Sequence, residues 1–454
     1  MVSVFKSFFD SLFTPFVASS SHFVKCLTRI ALCCLFLLPL CLFYSRAGAD
    51  ILATLIGLLF LLYSVCTQQW KWIRQNWVEL AALLCGLCLL SSFLSGVSRS
   101  WLQALCVPRV FLFVAALQCW LLPSQRTALW LERLFMLFAF WLISQVWLQY
   151  FTGHNIMGHP RWADGALTGP FEKPRASSTF IMLFFPGIMP SIIRGLHHQQ
   201  ENHQHESSPW VNRLFSLIFL AFCVVTLILI GQRMSTLFML GGLTLTALLI
   251  PFFRFPFLLI TCVAGLFIAA LPFVSPPSYA KLVLKFIDQM QHFGHSDYGL
   301  LFRSATTMVL AHPWFGLGID GFRRLCHETI HSPAFPWLGI PALQNDTHHG
   351  CNIHPHNYYL HVATSAGIPG LLVFCWLVLC WLWKGAKALN VSHNPRQAML
   401  FVVCCVAFFP IASTSSFFSF PTIGWLCLSV GWLLASSDTS QHTDNSQQKT
   451  CQRT

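Results

Sequence analysis

Two histidines stand at the start of a long apolar run, in His354-Pro355-His356-Asn357-Tyr358-Tyr359-Leu360 and on through Gly367-Ile368-Pro369-Gly370. Imidazole is the side chain best suited to moving a proton near neutral pH. Pro355 disfavours helix for the residue before it and Asn357 is a good N-cap, so the spacing predicts a helix starting near residue 357. His356 then sits where the first backbone N–H groups and the positive end of the helix dipole face outward. That position suits an anionic ligand, and its field keeps an imidazole neutral and able to accept a proton. The same placement also describes a histidine that does no more than cap a helix end. The rest of the chain has to separate the two readings.

Cationic groups are the natural companions of such a base. Arg233, in Gly231-Gln232-Arg233-Met234-Ser235-Thr236, lies between two apolar runs with no room for a free loop. An arginine at that depth normally faces a cavity or a partner, and its planar fork matches phosphate. Arg303 belongs to a stretch, Tyr298 to Ala311, in which Leu300, Leu301, Met308 and Leu310 predict a short helix lying against the membrane. A polar loop from Gly165 to Arg175 adds Lys173 and Arg175, with Arg161 just before it, although a plain re-entry loop explains that stretch equally well. Arg109 is accounted for by snorkelling.

Nine histidines fall in the polar stretch 275–357, among them His292, His295, His312, His327, His331, His348 and His349, so a zinc hydrolase is a competing reading. No HExxH is present, however, and no CxxC pair or carboxylate stands at ligand spacing. A DxD pair, a GxSxG elbow and a P-loop are also absent. The Gly316-Leu317-Gly318 turn after His312-Pro313 follows no strand, which removes a dinucleotide reading. What remains is cations plus a histidine base: metal-free chemistry, with no cofactor, on a diphosphate-linked donor. Cys326 and Cys351 are the two cysteines of this stretch, and in an oxidising compartment they could pair.

The elements that must position these residues are membrane helices. Of 454 residues, 55% are hydrophobic and 9% charged, with mean hydropathy +0.62. That describes an all-α polytopic membrane protein. The net charge of +12 arises from basic residues scattered singly between apolar runs, which argues for positive-inside topology and against a nucleic-acid partner. Most of the 19 cysteines lie inside apolar runs and act as small hydrophobes. Runs long enough to span occur at 30–45, 50–66, 78–97, 103–122, 129–150, 176–196, 213–230, 234–251, 255–274, 358–383, 398–413 and 415–436, which is about twelve helices. Lys71, Arg74, Arg126, Arg133, Arg254, Lys384 and Lys387 fall on one side, and Arg46, Arg99 and Arg233 on the other. Both termini are therefore expected in the cytoplasm, with 151–175 and 275–357 facing outward. The resulting plan is an interfacial segment 1–29, nine helices in 30–274, one long outward loop 275–357 containing short helices, three helices in 358–436, and a disordered cytoplasmic tail 437–454. The histidine-rich stretch 197–212 reads as a solvated linker.

Several of these motifs resemble the bacterial O-antigen ligase family, within the O-antigen ligase/polymerase superfamily. His356-Asn357, nine residues, then Gly367-x-x-Gly370 is similar to its His-Asn-x9-Gly-x-x-Gly signature. Arg303, followed by Pro313 and Gly316-Leu317-Gly318, resembles its amphipathic periplasmic helix and Pro-x-x-Gly-x-Gly turn. Gln232-Arg233 resembles its Ser-Arg pair, with Gln in place of Ser, and Thr168-Gly169-Pro170-Phe171 ahead of Pro174 resembles its first-loop element. The resemblance implies a glycosyltransferase at the periplasmic face of the bacterial inner membrane. Its donor would be a glycan on undecaprenyl diphosphate and its acceptor the lipid A–core oligosaccharide, with membrane lipids around it. It implies His356 as general base, Arg303 and Arg233 as the cations on the diphosphate, and Arg161, Lys173, Arg175, His354 and Asn357 as substrate-binding. An O-antigen polymerase or a protein O-oligosaccharyltransferase would share donor and base, and a non-enzymatic transporter would use the arginines to line a path. Oligomeric state is not legible.

Overall fold

The computed structural model describes residues 22–197, 209–293, 296–329, 350–389, 394–412 and 415–451, without the side chains of 209, 328, 329 and 440–451. Among the described residues there is no strand, only an isolated bridge between His154 and Pro160. Helix is the expected answer to these apolar runs, because in hydrocarbon every backbone polar group must be satisfied within its own segment. The helices are α1 His22–Tyr44, α2 Arg46–Thr67, α3 Asn76–Leu94, α4 Ser100–Leu121, α5 Gln125–Thr152, α6 Ala176–His197, α7 Pro209–Ile230, α8 Arg233–Leu249, α9 Arg254–Val274, α10 Asp297–Ala311, α11 Gly321–Thr329, α12 Tyr358–Lys387, α13 Pro395–Ala407 and α14 Phe420–Cys451. Ten are long and apolar enough to cross a membrane, and α8 and α13 are shorter apolar helices. The sequence expectation of about twelve spans thus meets ten full-length candidates and two short ones.

Local chemistry sets several helix starts. Ser45 begins α2 by accepting the Gly48 N–H on its hydroxyl at 3.1 Å, and Ser296 begins α10 by accepting that of Gly299, also at 3.1 Å. The amphipathic segment expected up to residue 29 lies outside the described residues as far as 21; from His22 it is already α1. Likewise 198–208 of the histidine-rich linker, and His295, His331, His348 and His349, lie outside them. At the other end α14 continues past Ser436 to Cys451. The Ser437 and Thr439 hydroxyls donate back to the Leu433 and Ala435 carbonyls at 2.8 Å, and extending an existing helix needs no new nucleus.

The chain forms two compact units. The first comprises the described parts of Met1–Leu122, Gln289–Lys384 and Phe408–Gly431, hence α1–α4, α10, α11 and most of α12. Its core includes Leu35, Leu38, Ile56, Phe60 and Phe113, with Phe113 packed edge-on against Phe420. Arg109 holds Asp50 through two bonds of 2.8 and 2.9 Å, which gives that arginine a structural partner. The second unit comprises the described parts of Pro123–Asp288, Gly385–Ala407 and Trp432–Thr454. Here buried Glu132 is shared between Arg194 and Arg396, and Trp432 packs edge-on against Phe135. In the same unit Leu258, Leu266 and Phe273 of α9 are exposed, an apolar surface suited to lipid.

Candidate active site

In the first unit the site is built on a break in α12. Gly367 has φ 68° and ψ −169°, which no helix accommodates, and Pro369 has no N–H to give Ser365. The carbonyls of Thr364 and Ser365 would be orphaned in the protein interior. The turn 313–318 supplies what they lack. Leu317 N–H donates to Thr364 at 2.8 Å, Gly318 N–H to Ser365 at 3.0 Å, and Ile368 N–H returns to the Pro313 carbonyl at 2.7 Å. Ser91 of α3 completes the joint, its hydroxyl donating to the Ser365 carbonyl at 2.6 Å and accepting the Gly318 N–H at 2.9 Å. Two backbones meet so closely here that a Cβ on Gly316 would lie 2.6 Å from the Gly367 nitrogen, and one on Gly367 2.6 Å from the Pro313 oxygen. Both glycines also have φ of 68°, so the two glycine motifs of the sequence are one interface.

That joint fixes the ends of the segment carrying the histidines. Cys326 of α11 and Cys351 form a disulfide with Cα atoms 5.8 Å apart, so the pairing considered from the sequence is present. Leu301, Ala305, Met308, Leu317, Phe322 and Cys326 bury one another beneath it, which seats α10 and α11 against the turn. At the other end Asn357 is buried. Its side-chain oxygen accepts the Leu360 N–H at 3.1 Å as the N-cap of α12, and its amide donates to the Pro410 and Ala412 carbonyls at 2.7 and 3.3 Å. The helix therefore begins where Pro355 and Asn357 predict, and the Asn357 side chain is committed to holding backbone.

Between these anchors the chain passes through His356 at φ +50°, a left-handed conformation rare for a residue with a side chain. Its ring lies 4.3 Å from that of His354 and 6.1 Å, edge to face, from that of Tyr298 in the first turn of α10. The Asn352 amide nitrogen is 3.3 Å from His356 Nε2. Behind His354, at 6.3 Å between ring centres, lies His361, which is buried and accepts the Phe417 N–H on Nδ1 at 3.2 Å. That bond leaves the His361 proton on Nε2. Arg303 is half-buried on α10, five residues beyond Tyr298. Asp320, just before α11, accepts from Arg323 and Arg324 at 2.6 Å each. Burial pushes its carboxyl upward, but the two guanidinium groups outweigh this and hold it below the usual carboxylate range.

The second unit collects the other predicted cations. Arg233 opens α8 and donates to the Lys285 carbonyl at 3.1 Å. Lys281, buried in the helical stretch after α9, is ion-paired with Asp164 and feels the charges of Arg233 and Lys285. Burial pulls its ammonium below the usual lysine range, opposed by Asp164 and reinforced by the two neighbouring cations. Arg161 reaches the Gly165 carbonyl and the Ser275 hydroxyl at 3.4 Å each and lies over the Tyr150 ring. Burial lowers its pKa as well, partly offset by Tyr150. Loop 153–175 is structured by two buried amides. Gln149 binds backbone at His159, Pro160, Thr168 and Gly169, and Asn155 binds Gly169 and Phe171. Arg175 lies over Phe171 before α6, and Lys173 is exposed.

The sequence profile of the O-antigen ligase family matches residues 218–375. Over that segment, about a third of the chain, the protein is similar to the O-antigen ligase family. No curated protein matches the chain. With ten helices long and apolar enough to cross a membrane among the described residues, the chain reads as a multi-pass membrane protein.

The matched segment contains Arg233, Lys281, Lys285, Arg303, Asn352, His354, His356 and both glycines of the joint, while Arg161, Lys173 and Arg175 precede it. The structure brings His354 and His356 together in one unit with Asn357 and Arg303, and places Arg233, Arg161, Arg175 and Lys173 in the other. Sequence reasoning passed over Asn352, His361 and Lys281. Among the described residues, no group of three or more histidines, cysteines or carboxylates is placed to hold a metal ion.

Proposed function

We propose that this protein is an O-antigen ligase: it transfers a polysaccharide from undecaprenyl diphosphate to the lipid A–core oligosaccharide at the periplasmic face of the bacterial inner membrane. The observation that carries the reading is His356, held in a left-handed conformation between a disulfide and a helix cap in the segment that matches the family. His356 takes the proton of the acceptor hydroxyl as its oxygen attacks the anomeric carbon, and the bond to the diphosphate breaks with its electron pair leaving on phosphate. Displacement in one step inverts the anomeric centre and uses no metal. Arg303 and Arg233 bind diphosphate and stabilise the charge on the leaving group, typically the larger contribution to such catalysis. Arg161, Lys173, Arg175 and His354 contact substrate.

Support for the orientation comes from the Cys326–Cys351 disulfide, which belongs in an oxidising compartment, together with the distribution of Lys and Arg. With α8 and α13 counted as short spans the helices number twelve, which returns both termini to the cytoplasm. Deletion of the gene tests the reaction. Lipopolysaccharide with an intact core and no O-antigen is the expected result, whereas a core carrying a single repeat unit would assign the chain to polymerisation. Purified protein should keep its activity in EDTA; loss restored by zinc would defeat the metal-free mechanism.

A further inference from the structure

We infer that Asn352 is a positioning residue for His356: its amide holds the imidazole, fixes which ring nitrogen carries the proton, and favours the neutral base. The inference rests on the reading of His356 as general base. The geometry begins with the amide itself. Asn352 Oδ1 accepts the Ile353 N–H at 2.7 Å, which identifies the oxygen and leaves Nδ2 as the atom 3.3 Å from His356 Nε2. An amide nitrogen can only donate. Nε2 must therefore accept, and a neutral His356 carries its proton on Nδ1. A protonated Nε2 would confront the amide donor to donor, so this bond favours the neutral ring over the imidazolium.

The surroundings make Asn352 a fixed point. Cys351 beside it is tied to α11. Gly350 has φ +109° and fits so closely on α10 that a Cβ would lie 2.7 Å from the Ser304 hydroxyl and 3.2 Å from the Leu300 carbonyl. Asn357 pins the far end of the segment. The chain from 350 to 357 is thus clamped at both ends, and His356, in its left-handed conformation, depends on the clamp. Among the described residues, the titratable and charged groups near its ring include Tyr298 of α10, with Arg303 further along that helix, and His354, behind which lie His361 of α12 and Asp320. At 3.3 Å the bond is long enough to be exchanged for the acceptor hydroxyl, which then loses its proton to Nε2 as its oxygen bonds the anomeric carbon.

Full-length protein in detergent, given undecaprenyl-diphosphate-linked O-antigen as donor and lipid A–core as acceptor, provides the test through the pH profile of kcat/KM. Asn352→Asp replaces the donor with a carboxylate that accepts from Nε2–H and favours the imidazolium. Its acid limb should move to higher pH by about one unit or more, lowering turnover at neutral pH roughly tenfold, with recovery in more alkaline buffer. Asn352→Ala, which no longer presets the ring in the free enzyme, should lower kcat/KM by on the order of 10-fold, with a smaller shift of the limb in the same direction. Melting temperatures equal to wild type would exclude a merely structural effect. Acid limbs coinciding with wild type in both variants would overturn the inference. His356→Ala separates the two levels: if it is inactive while the Asn352 profiles match wild type, only the role of Asn352 falls. If His356→Ala turns over normally, the base assignment falls and this inference with it.

Discussion

His356 combines a conformation that costs free energy with a ring that the fold does not bury. A left-handed non-glycine residue is disfavoured by on the order of 1–3 kcal/mol and persists where its surroundings over-determine it. Asparagine tolerates that conformation better than most residues. His356→Asn should therefore remove a general base worth about 10²–10⁴ in rate while leaving the melting temperature of the protein unchanged or raised. His354→Ala, which keeps His356, should cost far less turnover, and equal losses in the two variants would place the base wrongly. Asp320 makes a separate prediction. Its carboxyl is held below the ordinary range by Arg323 and Arg324, so it releases its proton more readily in the folded state than in the unfolded one. Its contribution to stability is complete above the unfolded value of about 4 and is lost as pH falls through the folded one. Thermal unfolding of the wild type should weaken below about pH 4, and Asp320→Asn should be less stable at pH 7 yet show less of that acid dependence. Identical acid slopes would remove Asp320 from the stability of the turn.

At the scale of elements, the break in α12 and the 313–318 turn are two halves of one joint. Gly367→Ala and Gly316→Ala would each place a Cβ 2.6 Å from a backbone atom that cannot move aside, in a conformation that disfavours side chains. Each should lower stability by several kcal/mol and halve or abolish folded yield in detergent, well beyond the ~1 kcal/mol of an ordinary helix glycine. Ala at Gly241, where a Cβ meets nothing within 4 Å, is the matched control and should be neutral or slightly stabilising. Helix positions, and the Asp297–Ala311 helix with Arg303, were readable from the sequence because apolar runs and caps are local signals. The joint was not, since Leu317, Gly318, Ser91 and Ser365 meet across large sequence separations and no periodicity reports that meeting. Among site residues, His356 and Arg233 stood out by their neighbours in sequence, whereas Asn352 follows a cysteine with no spacing that marks it, and Lys281 follows a proline-rich stretch with no motif around it.

For the molecule as a whole, a net charge of +12 matters less than where the cations gather. Within the second unit, Arg161, Arg233, Lys281 and Lys285 come from the 153–175 loop, the start of α8 and the stretch after α9, and Lys281 is paired with the carboxylate of Asp164. A buried ammonium is costly unless an anion faces it, and Asp164, though itself substantially exposed, supplies that anion. A diphosphate is a stronger acceptor than one carboxylate and can engage several of these groups together. Binding it would then exchange one anion for another at Lys281, so the two partners should respond oppositely to substitution. Lys281→Ala, losing a charge-assisted contact of ~1.5–3 kcal/mol, should raise the KM for the lipid-linked donor by on the order of 10- to 100-fold. Asp164→Asn should lower that KM, because the competing carboxylate is gone, while reducing the melting temperature through the uncompensated buried lysine. Added salt should weaken the wild-type donor interaction more than that of Lys281→Ala. Should both variants leave donor KM unchanged while only stability moves, the Lys281–Asp164 pair is a strut of the fold and makes no contact with the donor.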